Sequence, residues 1–136
     1  MFSHMRMIIF QASYPPASGR HMVFENKFNH MKYQFSHIGI PTNEEKNWDG
    51  FYEPGKIHYT DFAKDEFNIE WIKCDNDSPM PEMFQKIPHV AYQVDNIEEA
   101  LAGKEILVET FSPGEGVRVA FIVHNGSPVE FMEVSK

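Results

Sequence analysis

The chain has 136 residues, with 12 Lys and Arg against 20 Asp and Glu for a formal charge of −8. That length suits one compact domain, or two small modules sharing a core. The acidic balance disfavours nucleic acid and anionic membrane surfaces as partners, and the single Cys74 excludes an intrachain disulfide and any cysteine-rich metal site. No stretch approaches the roughly 20 apolar residues that cross a bilayer, and the opening MFSHMRMIIFQ lacks the pattern of an exported leader. A soluble, cytoplasmic protein is expected, since a reducing compartment suits a lone thiol.

Residues 1–31 differ from the rest, with scattered Met and His and a YPPASG turn run. They read as an N-terminal extension: an accessory arm, an expression remnant, or sequence ahead of a start at Met31. A short strand is predicted over 7–10, broken by Pro15-Pro16 and Gly19. Next comes YQFSHIGIP, a strand with apolar Ile38 and Ile40 on one face and His37 and Gly39 on the other. Pro41 ends it, and Thr42 is placed to cap a helical turn over 43–48. KIHYTDF and EFNIEWIKC follow as strands after the turn at Glu53-Pro54-Gly55. In the second of these, Phe67, Ile69 and Trp71 form the face predicted to pack, opposite Glu70.

Residues 76–87, rich in turn formers, read as a linker with a short helical piece at 82–85. The pattern then restarts with IPHVAYQV, where His89 and Ala91 repeat the face of His37 and Gly39. Asp95 or Asn96 is placed to cap a helix IEEALAGK, stopped by Gly103. EILVETF and VRVAFIVH follow as strands, and Asn125-Gly126 predicts a tight hairpin into SPVEFMEV. The order over 88–136 is βαβββ, and 32–75 reads as an abbreviated copy. The expected fold is α+β, two βαβββ modules forming a curved mixed sheet around a cleft.

Each half offers one imidazole and one carboxylate: His37 and Glu70, then His89 and Glu130. In each module the His lies on the first strand and the Glu on the last. Two such modules packed about a pseudo-twofold axis would bring all four together. A neutral nitrogen and a carboxylate oxygen, each binding at about 2.0 to 2.2 Å, suit zinc, nickel, manganese, cobalt or ferrous iron. Without a cation each His is a hydrogen-bonded core or edge residue and each Glu a solvent-facing one. Two inward carboxylates would then need pairing or protonation.

The segments FSHIGIPT, EFNIEWIKC, IPHVAYQVDNIEEAL and GVRVAFIVHNGSPVEFMEV resemble the glyoxalase/bleomycin-resistance/extradiol-dioxygenase superfamily, also called the vicinal-oxygen-chelate superfamily. The resemblance covers residues 33–136 and implies that His37, Glu70, His89 and Glu130 are metal ligands. Their order is most similar to glyoxalase I. It implies a lyase or isomerase, glyoxalase- or epimerase-like, that chelates adjacent oxygens of a small substrate and stabilises an enediolate. Glu130 is then the first choice of proton-transferring base and Glu70 the second. The short segment between Pro41 and Lys56 and the lack of recognisable glutathione-handling basic residues depart from the glyoxalase I pattern. The same family includes non-catalytic binders of the bleomycin-resistance type and extradiol dioxygenases, which stand as alternatives. It also implies a homodimer, with the site completed in one chain or across two.

Arg118 and His58 are candidates for contact with substrate, each with an ordinary surface role as its alternative. His124 beside Asn125-Gly126 reads as a turn residue. Cys74 has no local base partner to make it a nucleophile. Phe35, Phe67, Trp71, Tyr92, Phe121 and Phe131 are expected to pack as core.

Overall fold

The structure, a computed structural model, describes residues 23–25 and 31–135. The predicted strand over 7–10 lies outside the described residues, as does most of the predicted N-terminal extension. In chain order the strands are β1 (Val23–Glu25), β2 (Lys32–Pro41), β3 (Gly50–Tyr52), β4 (Ile57–Tyr59) and β5 (Ile69–Cys74), then β6 (His89–Gln93), β7 (Glu105–Gly114), β8 (Val117–His124) and β9 (Ser127–Val134). Two short helices, α1 (Glu82–Lys86) and α2 (Ile97–Leu101), flank β6, and 3-10 turns form at Glu53–Gly55 and Phe62–Lys64.

Among the described residues all nine strands belong to one sheet, in the order β3-β4-β5-β2-β6-β9-β8-β7, with β1 paired to the start of β2. The sheet is mixed. β2 runs parallel to β5 and β6 parallel to β9, while β2 and β6 meet antiparallel at the centre. It curves until its ends nearly close, and Tyr52 of β3 stacks on Phe111 of β7 with centroids 4.9 Å apart.

Strand alternation sends side chains to two apolar clusters. On β8, Ala120 and Ile122 join Tyr33, Phe131, Ile97 and Ala100 in an outer cluster beneath α2. Val119 and Phe121 instead join Ile57, Ile72 and Phe84 in an inner cluster. Helix α2 is too short to persist alone in water. It is held by Asn96, whose Oδ1 accepts from the Glu99 amide at 2.9 Å, by Glu133, which accepts from the Ile97 amide, and by complete burial of Ile97 and Ala100. The Asn125-Gly126 turn takes φ values of 49° and 78°, the left-handed pair that matches the twist of a tight hairpin.

Two local expectations are corrected. No helix forms over residues 43–48. Thr42 Oγ1 accepts from the Glu44 amide, and Lys46, Trp48 and Lys73 engage Glu44 and Glu45 through their side chains, so side-chain pairing replaces a helix with no apolar stripe to bury. On β5 the packed face is that of Glu70 and Ile72, with Phe67 70% exposed. Asn68 adopts φ 55°, breaking the alternation that aligned Phe67 with Ile69 and Trp71. The predicted linker contributes to the core through Phe84 of α1, which is buried edge-on to Phe121 with centroids 5.0 Å apart. Among the described residues no helix is long and apolar enough to cross a membrane.

Candidate metal centre

The strand register explains how four residues distant in sequence meet. Across the sheet, His37, Ala91 and Glu130 are lateral neighbours on β2, β6 and β9, while Glu70, Gly39 and His89 are lateral neighbours on β5, β2 and β6. Each row has a small residue at its centre, flanked by one imidazole and one carboxylate. Flanking Cα atoms lie two strand spacings apart, about 9.6 Å, so long side chains converge over the small residue between them. A Cβ at Gly39 would fall within the His89 ring, so this position has room only for glycine while His89 keeps its place.

One ligand atom from each of His37, Glu70, His89 and Glu130 can be chosen so that all lie within 4.8 Å of one another. All four come from a single chain. His89 Nε2 is 2.9 Å from Glu130 Oε1, and His37 Nε2 is 3.5 Å from the same oxygen and 3.7 Å from Glu70 Oε1. His37, His89 and Glu130 are buried, and the Glu70 side chain is 19% exposed.

The rings are held by their surroundings. His37 stacks on Phe62 with centroids 4.2 Å apart, and His89 meets Phe121 edge-on at 4.9 Å. A β-bulge between Phe35 and His37 brings Ser36 onto the same side as its neighbour, where Ser36 Oγ lies 2.9 Å from His37 Nδ1. The Ser36 hydroxyl donates to Met132 Sδ at 3.4 Å; its oxygen is then placed to accept from Nδ1–H, which in the neutral ring would leave the Nε2 lone pair to a cation. Ser36 was absent from the sequence-derived site. Its only sequence signal is adjacency to His37, because ordinary strand alternation would turn it away.

Burial and crowding drive the titration of the cluster. Burial, and then the Glu130 charge, push Glu70 up to about 8. Burial acts in the same direction on Glu130, but the His37 and His89 imidazoles outweigh it and hold that carboxyl at about 2. Burial lowers His37, yet Glu130 and then Glu70 overcome it and raise its pKa above the ordinary value.

The donor set fits a divalent cation. His37 Nε2 and His89 Nδ1 are buried without a hydrogen-bond partner, a rare condition in a folded interior. Two carboxylates converge on the first of these nitrogens. Two imidazoles with two carboxylates match zinc and its neighbours in chemistry and neutralise a divalent charge.

His37, Glu70 and Glu130 also line one end of a cavity of about 230 Å³, whose walls are mostly aromatic and aliphatic. The other sequence-derived candidates stand apart from this cluster. Arg118 binds Glu133 at 2.7 Å and Glu98 at 3.0 Å, bracing β8 and β9 against α2 on the outer face. His58 points outward from β4, 2.8 Å from Asp75 and close to the Phe51 ring. The fold and site together define a mixed-sheet, barrel-like protein with an internal two-histidine, two-glutamate cluster that could hold a metal ion. No protein-family model matches the chain, and no curated protein matches it.

Proposed function

We propose that His37, Glu70, His89 and Glu130 hold one divalent ion, of zinc, nickel, manganese, cobalt or iron, and that the chain is a glyoxalase- or epimerase-like lyase or isomerase acting on a small oxygenated substrate. The observation that carries this reading is the convergence of four ligand atoms within 4.8 Å beside a mostly apolar cavity. When bound, the ion supplies a positive charge that polarises a carbonyl and stabilises negative charge developing on its oxygen. The strand order supports the vicinal-oxygen-chelate resemblance, with β2 and β5–β4–β3 forming one module and β6 and β9–β8–β7 the other. The first is abbreviated, having no helix after its first strand.

Within this reading the two carboxylates divide the work. Glu130 is fixed by His89 and stays ionised, which suits a permanent ligand. Glu70 lines the cavity as Glu130 does, but has no hydrogen bond to either imidazole, and beside a bound cation it would be ionised and able to accept a proton. That favours Glu70 as the group that takes a proton from carbon beside the carbonyl and returns it, reversing the order expected from resemblance. A homodimer belongs to the same proposal, supported by exposed Phe51 and Ile106. The proposed location is the cytoplasm, which suits the free thiol of Cys74.

The test is hydrogen–deuterium exchange at the carbon beside the carbonyl of a hydroxyketone, followed by NMR with metal-saturated protein. Exchange is expected in the wild type and to fall about 100-fold in Glu70→Gln, within the range for loss of a positioned base. Equal exchange in both proteins would sink the assignment of Glu70. The apolar cavity favours a second reading, a non-catalytic binder of the bleomycin-resistance type. Ligand binding with no exchange in the wild type would select it.

A further inference from the structure

The cavity beside the cluster has its titratable His and Glu groups together, and its other lining residues are apolar apart from the phenols of Tyr52 and Tyr59. His37, Glu70 and Glu130 form that group, and the other walls include Phe62, Phe84, Phe111, Val119 and Phe121. Among the described residues, no Lys or Arg lines it. An anionic substrate group would therefore meet two carboxylates and no Lys or Arg to pair with, in walls that are mostly apolar. Glu70 and Glu130 together already balance the charge of a divalent ion, which leaves little net attraction for a further anion. The chain's formal charge of −8 works in the same direction over longer range.

Size adds a second constraint. A cavity of about 230 Å³ falls below the 300–1,000 Å³ typical of drug-sized ligands. It holds a body of about one substituted ring, or an equivalent branched chain, with a short polar head. Ring edges and faces on the walls favour an aromatic or compact aliphatic surface over a hydroxylated one. A sugar-like ligand would have more hydroxyls than the phenols of Tyr52 and Tyr59 could pair, and would leave the rest facing phenylalanine.

We propose that the cavity takes a small uncharged molecule with an apolar, ring-sized body and oxygen donors confined to one end. The placement of those oxygens rests on the metal-centre reading of the previous subsection, whereas the apolar body rests on the walls, and the lack of charge on the walls together with the two carboxylates.

The test uses the full chain stripped of metal and reloaded with cobalt(II), whose visible absorption reports changes in its ligands. Cobalt content per chain is measured first and judges the metal reading by itself. Three probes are then titrated against that absorption: 2-hydroxy-1-phenylethanone, which has the ring and an uncharged head; hydroxyacetone, which lacks the ring; and phenylglyoxylate, which keeps the ring but carries a carboxylate. The first is expected to bind at least tenfold tighter than either of the others. Val117→Trp, at the apolar end of the cavity, is expected to erase that preference while retaining one cobalt per chain.

Tightest binding by phenylglyoxylate, or equal binding by hydroxyacetone, overturns the ligand class and leaves the metal reading standing. A chain that takes up no cobalt overturns the metal reading and, with it, the oxygen-donor end of the proposal. Because the probe comparison is made on the wild type, and is followed by titration calorimetry of the same three probes should no cobalt bind, it decides the matter even if the tryptophan variant fails to fold.

Discussion

Glu70→Gln should make the metal-free protein more stable, although it removes a residue from the heart of the site. Glu70 is raised from 4.5 to about 8 by burial and by Glu130. A carboxyl whose folded pKa is raised contributes stability that is fully present below the unfolded value and is lost as pH climbs through the folded one. At pH 7 the unfolded group has released its proton and the folded group still holds it. At about 1.4 kcal/mol per tenfold, that difference costs about 3 kcal/mol. The side chain is 19% exposed, so solvent screening trims the figure to about 2 kcal/mol. Gln keeps the shape and removes the charge, and a gain of about 2 kcal/mol corresponds to about 5 to 10 °C in melting temperature for a chain of this size. His37, also raised, acts in the same direction, so stability of the metal-free wild type should decline as pH rises through neutrality. Thermal melts of chelator-treated wild type and variant at pH 5, 7 and 8.5 check this, each with and without zinc. The variant should gain most at pH 8.5 and least at pH 5. Zinc at one hundred times its dissociation constant should add about 2.7 kcal/mol to the wild type and much less to the variant. A variant less stable than the wild type at every pH, or stabilised equally by zinc, would refute the reasoning.

Two further substitutions probe how the rings are held. Ser36→Ala should lower metal affinity about 10- to 100-fold, the usual effect of losing the partner that orients a ligating histidine; Ser36→Thr should restore it, and nitrogen chemical shifts of His37 should show the tautomer lost and regained. An unchanged tautomer in Ser36→Ala would rule this role out. Gly39→Ala should cost about 1 to 3 kcal/mol through overpacking against the His89 ring and weaken metal binding together with stability. Denaturant unfolding and metal titration test the pair, and intact affinity would show that His89 is not a ligand.

Much of the strand pattern was legible because its signals are local. Asn96 before IEEAL and Asn125-Gly126 between two apolar runs each carry their geometry in one or two residues, and both took the expected form. His37 and His89 were recognisable through the small residues beside them, Gly39 and Ala91, which the register then placed as the floor beneath the converging side chains. What the sequence hid depended on irregular backbone or on competing side-chain bonds. The bulge at Ser36 reverses the expected facing of one residue and thereby supplies the partner of His37. The left-handed Asn68, with Asp65 Oδ1 accepting from the amides of Phe67 and Ile69, separates Phe67 from the strand face of Ile69 and Trp71. Residues 43–48 had a capping threonine but no apolar face, and a cap alone does not repay the ordering of a helical turn.

The central claim is that this cluster holds a metal, and metal analysis tests it most directly. The full chain, purified without chelators and without a polyhistidine tag, is analysed by mass spectrometry alongside His37→Ala and Glu130→Gln variants whose folding is verified by circular dichroism. The account predicts one divalent ion per chain in the wild type and its loss from both variants. A folded wild type that takes up no divalent metal even on reconstitution, or variants that keep the ion in full, would contradict it.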